Sequence, residues 1–324
     1  MSFKDIKGHD NAITCLKKSI AEDKVSHAYI FAGPSGIGKK LIAVNFAKAL
    51  NCLGRGGDTG EACDSCASCR KIDSSGHPDV FIVKAEKEGS DLGIDKVREL
   101  IRNIGLKPYE AKKKVYIIDE AGSLTGEATN AFLKTLEAPP SESVIIFISK
   151  GPGELLPTIE SRSQVIRFFA LPLETTEDIL KNALKIDSAR AGILSHISSG
   201  SPGVALKMNE NNFFEKRSFI LDALASGSFF DSDLEKISRQ EMKFYLDMIL
   251  GWYRDVLVAK SAKGSGPYLI NPDKAEAVSR EAGRRDFSFL DDVIKQIILT
   301  RSLLDENVNT KLALGILSAN INEG

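Results

Sequence analysis

This chain has no excess of either charge: 43 Lys and Arg stand against 44 Asp and Glu, a net charge of −1 over 324 residues. Binding to nucleic acid through overall charge is therefore disfavoured, and any DNA contact has to be local. Long apolar runs are missing too. The first residues, Met1-Ser2-Phe3-Lys4-Asp5-Ile6-Lys7, have no apolar core of the kind a secretory signal needs, and no later stretch is long enough to span a bilayer. A cytoplasmic setting is expected, with no membrane partner. Cysteine is scarce, with five in the chain. In a reducing compartment these are not expected to be disulfide staples, so a cluster among them needs another explanation.

What is present is ordinary globular material, 43% hydrophobic and 27% charged, enough for two or three domains. Short β-branched runs at 28–32, 80–83, 115–119, 144–148 and 165–168 alternate with helical spacings such as Ile94, Val97, Ile101, Ile104 and Ala128, Phe132, Leu136. Runs this apolar are expected to be buried on both faces, which predicts an α/β fold with a parallel sheet and helices on either side. Strand signals stop near Leu171. Helices are predicted at 175–184 and 188–198, a turn or helix start at Gly200-Ser201-Pro202-Gly203, and only helices past 207, with core stripes such as Met242, Tyr245, Ile249, Trp252, Val256 and Val293, Ile294, Ile297, Leu303, Leu304. The Gly-rich stretch 54–60 reads as a flexible loop.

Phe31-Ala32-Gly33-Pro34-Ser35-Gly36-Ile37-Gly38-Lys39-Lys40 reads as a phosphate-binding loop with one disabling letter. Between a strand and a helix, Gly33, Ser35, Gly36 and Gly38 would aim backbone N–H groups at a polyphosphate, and Lys39 would reach its β/γ-phosphates. The next residue should be Ser or Thr, to hold magnesium. Lys40 donates hydrogen bonds and cannot coordinate a cation, so the cradle survives while the metal site loses a ligand. Val115-Tyr116-Ile117-Ile118-Asp119-Glu120 supplies the second motif: a buried strand ends in two carboxylates, of which Asp119 would orient magnesium and Glu120 would polarise water.

Cys52, Cys63, Cys66 and Cys69 are spaced C-x10-C-x2-C-x2-C. Four thiolates this close can surround Zn²⁺ tetrahedrally, and the Gly-rich loop lets the chain bend back. An iron–sulfur run would need a fourth cysteine three residues later, followed by proline; Arg70-Lys71-Ile72-Asp73 stands there instead, which favours structural zinc. Cys15, on a predicted amphipathic helix, is expected to be a small buried hydrophobe. Ser161-Arg162-Ser163 is open to two readings: a solvated surface arginine, or a guanidinium offered to a neighbouring subunit's γ-phosphate.

Taken together, His27-Ala28-Tyr29-Ile30-Phe31, the phosphate loop, the four-cysteine insert, VYIIDEA, the stretch Asn130 to Pro140 and Ser161-Arg162-Ser163 resemble bacterial clamp-loader AAA+ subunits in kind and order. The likeness covers residues 1 to about 207, with Asn307 to Leu314 similar to the family's last helix. It implies three domains: 1–169, an AAA+ nucleotide-binding-type domain with a zinc module at 52–69; 170–207, a helical lid; and 208–324, a helical collar. Motor subunits of this family carry Lys-Thr or Lys-Ser in the loop and a nucleotide-sensing arginine after the lid turn, where this chain has Lys40 and Gly203. The resemblance therefore implies a stationary member of the DNA polymerase III holoenzyme, without ATPase activity by itself, that gives Arg162 to an adjacent motor. Implied partners are the gamma/tau and delta subunits, the sliding clamp and, through the assembly, primed DNA. ATP or ADP in the loop stays open. The competing readings are a gamma/tau-like motor and a zinc-dependent nucleic-acid-binding module.

Overall fold

The computed structural model describes residues 1–54, 60–85, 90–140, 142–151, 153–210, 212–226, 239–262 and 268–305. Two compact units divide the chain: residues 1–179 with 200–204, and residues 180–199 with 205 onward.

In the first unit the elements run α1 (Asp10–Ala21), β1 (Ala28–Ala32), α2 (Lys39–Asn51), α3 (Ala67–Asp73), β2 (Val80–Val83), α4 (Ile94–Ile104), β3 (Lys114–Ile118), α5 (Gly126–Glu137), β4 (Ser143–Ser149), α6 (Pro157–Glu160) and β5 (Gln164–Arg167). The sheet is parallel throughout, in the order β2-β3-β4-β1-β5, with Ala28 opposite Ile145 and Lys114 opposite Ser143. Alternation along each strand sorts side chains to two faces. Tyr29, Phe31, Val115, Ile117 and Ile146 pack with Leu16 of α1 and Phe46 of α2, while Ile30, Tyr116, Ile118, Ile145 and Phe147 pack with Val97 of α4 and Phe132 of α5. Burial on both faces holds for the three inner strands. It does not hold for the edges, where β2 is half-buried and β5 leaves Val165 exposed, because each has a strand on one side only. Cys15 is also a correction: the buried stripe of α1 is Ala12, Ile13, Leu16 and Ile20, and Cys15 lies off it, exposed.

Buried Asp79, just before β2, fixes the approach to β3. Its carboxylate accepts the backbone N–H groups of Tyr109, Glu110 and Ala111 at 2.8–2.9 Å. Burial alone would raise its pKa, but these three donors, helped by His77, bring it below the usual carboxylate value. A depressed folded pKa means this stabilisation is fully present above the ordinary value of 3.8 and is lost as pH falls through the folded value. Asp79→Ala would leave three amides without their acceptor and is expected to cost about 3 kcal/mol in chemical denaturation at pH 7.

The second unit is helical. It contains the end of α7 (Leu173–Leu184), α8 (Ser188–Ile197), most of α9 (Pro202–Glu210), α10 (Phe213–Ser226), α11 (Arg239–Ser261), α12 (Ala275–Arg284) and α13 (Phe287–Asp305). Met242, Ile249, Trp252 and Val256 on α11 and Val293, Ile297 and Leu304 on α13 form its core. The expected last helix at 307–314 and most of the Gly-rich loop lie outside the described residues. No helix among those described is long and apolar enough to cross a membrane.

Candidate functional site

β1 ends at Ala32 and α2 begins at Lys39, with Gly33, Ser35, Gly36 and Gly38 in the turn between them. The loop, Lys39, Lys40, Asp119, Glu120, Ser149 and Lys150 line one cleft of about 280 Å³. The two sequence motifs therefore meet, because β1 and β3 flank β4 and their C-terminal ends open on the same edge. Lys39 is 6% exposed. Its ammonium donates to the loop's own carbonyls, Gly33 and Pro34, the latter at 2.5 Å. Burial drops its pKa to about 8, against the pull of the Glu154 and Asp119 carboxylates. At neutral pH it still carries its charge.

Lys40 does more than fail to bind metal. Its Nζ lies 3.0 Å from Asp119 Oδ2, so the carboxylate expected to orient magnesium already has a cation beside it. Two motifs far apart in sequence thus neutralise one another. Gly203, where the family likeness led one to expect an arginine, also has a physical role. Its N–H donates to the Gly36 carbonyl at 2.8 Å, and Ser201 Oγ donates to the Ser35 carbonyl at 2.7 Å, so the start of α9 lies directly on the phosphate loop. A Cβ on residue 203 would come within 2.8 Å of the Gly36 oxygen. No side chain fits there, arginine included. Gly36, at φ +75°, is equally confined: a Cβ would meet Ser201 Oγ at 2.5 Å.

At the far end of α2 the four cysteine sulfurs converge, all within 4.8 Å of one another. Tetrahedral sulfurs at a Zn–S distance of about 2.3 Å would be about 3.8 Å apart, so the set fits a metal after small adjustment. Backbone N–H groups already point at these sulfurs: Cys63 at Cys52, Cys66 at Cys63, and Cys69 at Cys66, at 3.3–3.4 Å. The thiols are not alike. The Ser65 hydroxyl and nearby N–H groups bring Cys63 down to about 5, while burial pushes Cys52 and Cys69 up, so those two protons must leave when a cation enters. The module is tied to the sheet domain by the fully buried ammonium of Lys48 on α2, which reaches Asp64, Asp73 and the Met1 carbonyl.

Arg162 follows α6 and precedes edge strand β5, with its side chain 36% exposed and Nη2 donating to Glu137 Oε1 at 2.9 Å. The site residues thus form three groups along the sheet domain: loop and carboxylates, four cysteines, and an arginine by the sheet edge.

Comparison with known proteins decides the family. A family profile described as DNA polymerase III, delta subunit, matches residues 8–172, and another for the C-terminal part of that subunit matches 212–317. DNA polymerase III subunit delta-prime of Bacillus subtilis is 30% identical over 95% of this chain and 94% of its own length. The chain belongs to the delta and delta-prime family of DNA polymerase III subunits. The gamma/tau subunit of Mycoplasma pneumoniae is 34% identical over 68% of this chain but only 32% of itself, so this chain spans about a third of that relative. Among solved structures, a DNA polymerase III gamma subunit-related protein of Thermotoga maritima aligns over 96% of this chain and 99% of its own, at 18% identity and a TM-score of 0.44.

Within this delta-type subunit, sequence reasoning missed Ser201, Lys48 and Glu137. Lys48 carried no motif, and Ser201, though part of the Gly200-Ser201-Pro202-Gly203 turn, had nothing to mark it as a partner of the phosphate loop. Glu137 lies inside the segment that prompted the family likeness, yet nothing in one sequence marks it as the neighbour of Arg162.

Proposed function

We propose that this chain is the stationary delta-prime-type subunit of a clamp loader. It would complete a ring with gamma/tau and delta subunits, support opening of the sliding clamp and its placement on primed DNA, and give Arg162 to the ATP of an adjacent motor. The observation that carries this reading is the Lys40–Asp119 ion pair at 3.0 Å. An ammonium beside the carboxylate disfavours a magnesium ion that Asp119 would otherwise help to hold, and the residue that should supply a hydroxyl supplies that ammonium instead. With Gly203 against the loop in place of a cationic sensor, less positive charge meets the transferred group. The retained glycines and Lys39 fit a polyphosphate, with Lys39 turning from its own loop's carbonyls to the ligand, so ATP or ADP without turnover is compatible with this reading.

The three-part division at 1–169, 170–207 and 208–324 belongs to the same proposal, with the last part as collar. The cysteine donor set suits zinc in a structural role: four protein ligands leave no position for a reactive water. A cytoplasmic setting follows from a role in replication. A gamma/tau-like motor is less well supported, for the reasons at residues 40 and 203.

Reconstitution of the clamp loader with and without this chain tests the role: clamp loading on primed DNA should require it, and full loading by the remaining subunits alone would rule it out. At residue 40, calorimetry is the check. Magnesium should not strengthen nucleotide binding by the natural chain, whereas Lys40→Thr, which frees Asp119 and adds a hydroxyl, should gain about tenfold or more from magnesium. A magnesium-strengthened natural site would remove the ion pair as the explanation.

A further inference from the structure

Arg162 is held from two sides. Nη1 donates to the Thr158 carbonyl at 3.1 Å and to Ser161 Oγ at 3.2 Å, and Nη2 donates to Glu137 Oε1 at 2.9 Å. Thr158 and Ser161 belong to the same turn as the arginine, and that turn is well fixed. Ile159 is fully buried, and the N–H groups of Ser161, Arg162 and Ser163 donate to Pro157, Ile159 and Glu160. Glu137 comes from elsewhere. It is the last residue of α5, whose Phe132 and Leu136 are locked in the core under the sheet. A carboxylate at a helix C-terminus opposes the macrodipole, so a cation beside it is favourable for the helix as well.

We infer that Glu137 is the positioning residue of the arginine finger, holding the Arg162 guanidinium in one orientation before a neighbouring subunit's triphosphate meets it. This rests on reading Arg162 as a finger. An exposed arginine samples many rotamers and loses that freedom when it docks; one already held loses less. The geometry leaves the group able to act. A guanidinium has five N–H donors, and the contacts found among the described residues use three, which leaves two for phosphate oxygens. In the isolated chain the pair is weak, since the side chains are 36% and 56% exposed. Covered by a neighbour, the same pair sits in a lower dielectric and strengthens, so its influence is greatest in the assembled ring.

The experiment uses the fully assembled clamp loader with four versions of this chain: Glu137→Ala, Glu137→Gln, Arg162→Ala and the double variant Glu137→Ala with Arg162→Ala. Assembly is followed by size exclusion, and clamp- and DNA-stimulated ATP hydrolysis by kcat and KM. Glu137→Ala is expected to lower the Arg162-dependent share of kcat about two- to fivefold at unchanged KM and assembly. Glu137→Gln keeps an oxygen for Nη2 and should restore most of it. The double variant should equal Arg162→Ala alone, because a residue that acts through the arginine has nothing left to position. If Arg162→Ala loses activity while Glu137→Ala does not, the positioning role is wrong and the finger stands. A double variant well below Arg162→Ala would also overturn it, by giving Glu137 a separate role. If Arg162→Ala changes nothing, the finger itself fails and this inference with it.

Discussion

Arg162→Ala is expected to leave folding and ring assembly intact and to remove most hydrolysis at the one motor site that faces this subunit. In phosphoryl transfer the negative charge spreads over the oxygens of the transferred group, and a guanidinium entering across an interface meets it there. In GTPases such a residue is worth roughly 10³–10⁵ in rate. Other motor sites in the ring would keep their own arginines, so the total falls only partly. Folding should be spared because the side chain is partly exposed and its ion pair with Glu137 is a surface one. Measuring assembly and ATPase side by side on the reconstituted complex checks both halves. Normal hydrolysis and loading in a complete ring would make Arg162 a surface residue and nothing more.

The second large effect is expected at the cysteine module. The purified chain should contain about one zinc, and Cys69→Ser should abolish it. Cys69 is fully buried with Cys52 and Ala62 in a small cluster that has few apolar neighbours of its own. With zinc bound as proposed, a module this small would depend on it, since structural zinc contributes an apparent 10–16 kcal/mol or so in zinc-finger peptides. Removing the metal should therefore unfold the segment around 60–73 locally and make it protease-sensitive. The sheet is expected to survive, because its two apolar layers do not include the cysteines. Lys48 carries part of the damage into the sheet: once Asp64 and Asp73 move away, a fully buried ammonium loses both carboxylates and keeps only the Met1 carbonyl, so thermal stability of the whole sheet domain should also fall. Elemental analysis, proteolysis and melting of the variant check this. Iron in place of zinc, or a visible cluster absorption band, would contradict the assignment.

How far the sequence carried the reading follows from the range of each interaction. All five strands begin and end within one residue of where β-branched runs placed them, and the turn from β1 to α2 was legible because its glycines and Lys39 act locally. Four cysteines within eighteen residues are likewise a local signal. Pairings across the chain were not legible. Lys40 could be read as a missing magnesium ligand but not as the partner of Asp119, since nothing in either motif specifies the side-chain reach between β3 and α2. Gly203 could be read as a missing arginine; that it lies against Gly36, where no Cβ fits, required the fold. Cys15 failed for a different reason. A one-residue offset on a helix turns a side chain by about 100°, enough to move it from the apolar stripe to solvent.

The central claim is that this is a nucleotide-hydrolase frame whose own site is silent, and the most direct measurement is magnesium-dependent ATP hydrolysis by the isolated, purified chain. The Lys40–Asp119 pair and the glycine at 203 predict no turnover above background, unchanged by Lys39→Ala. Turnover at the rate of a motor subunit, abolished by Lys39→Ala, would contradict the account and make the chain a motor.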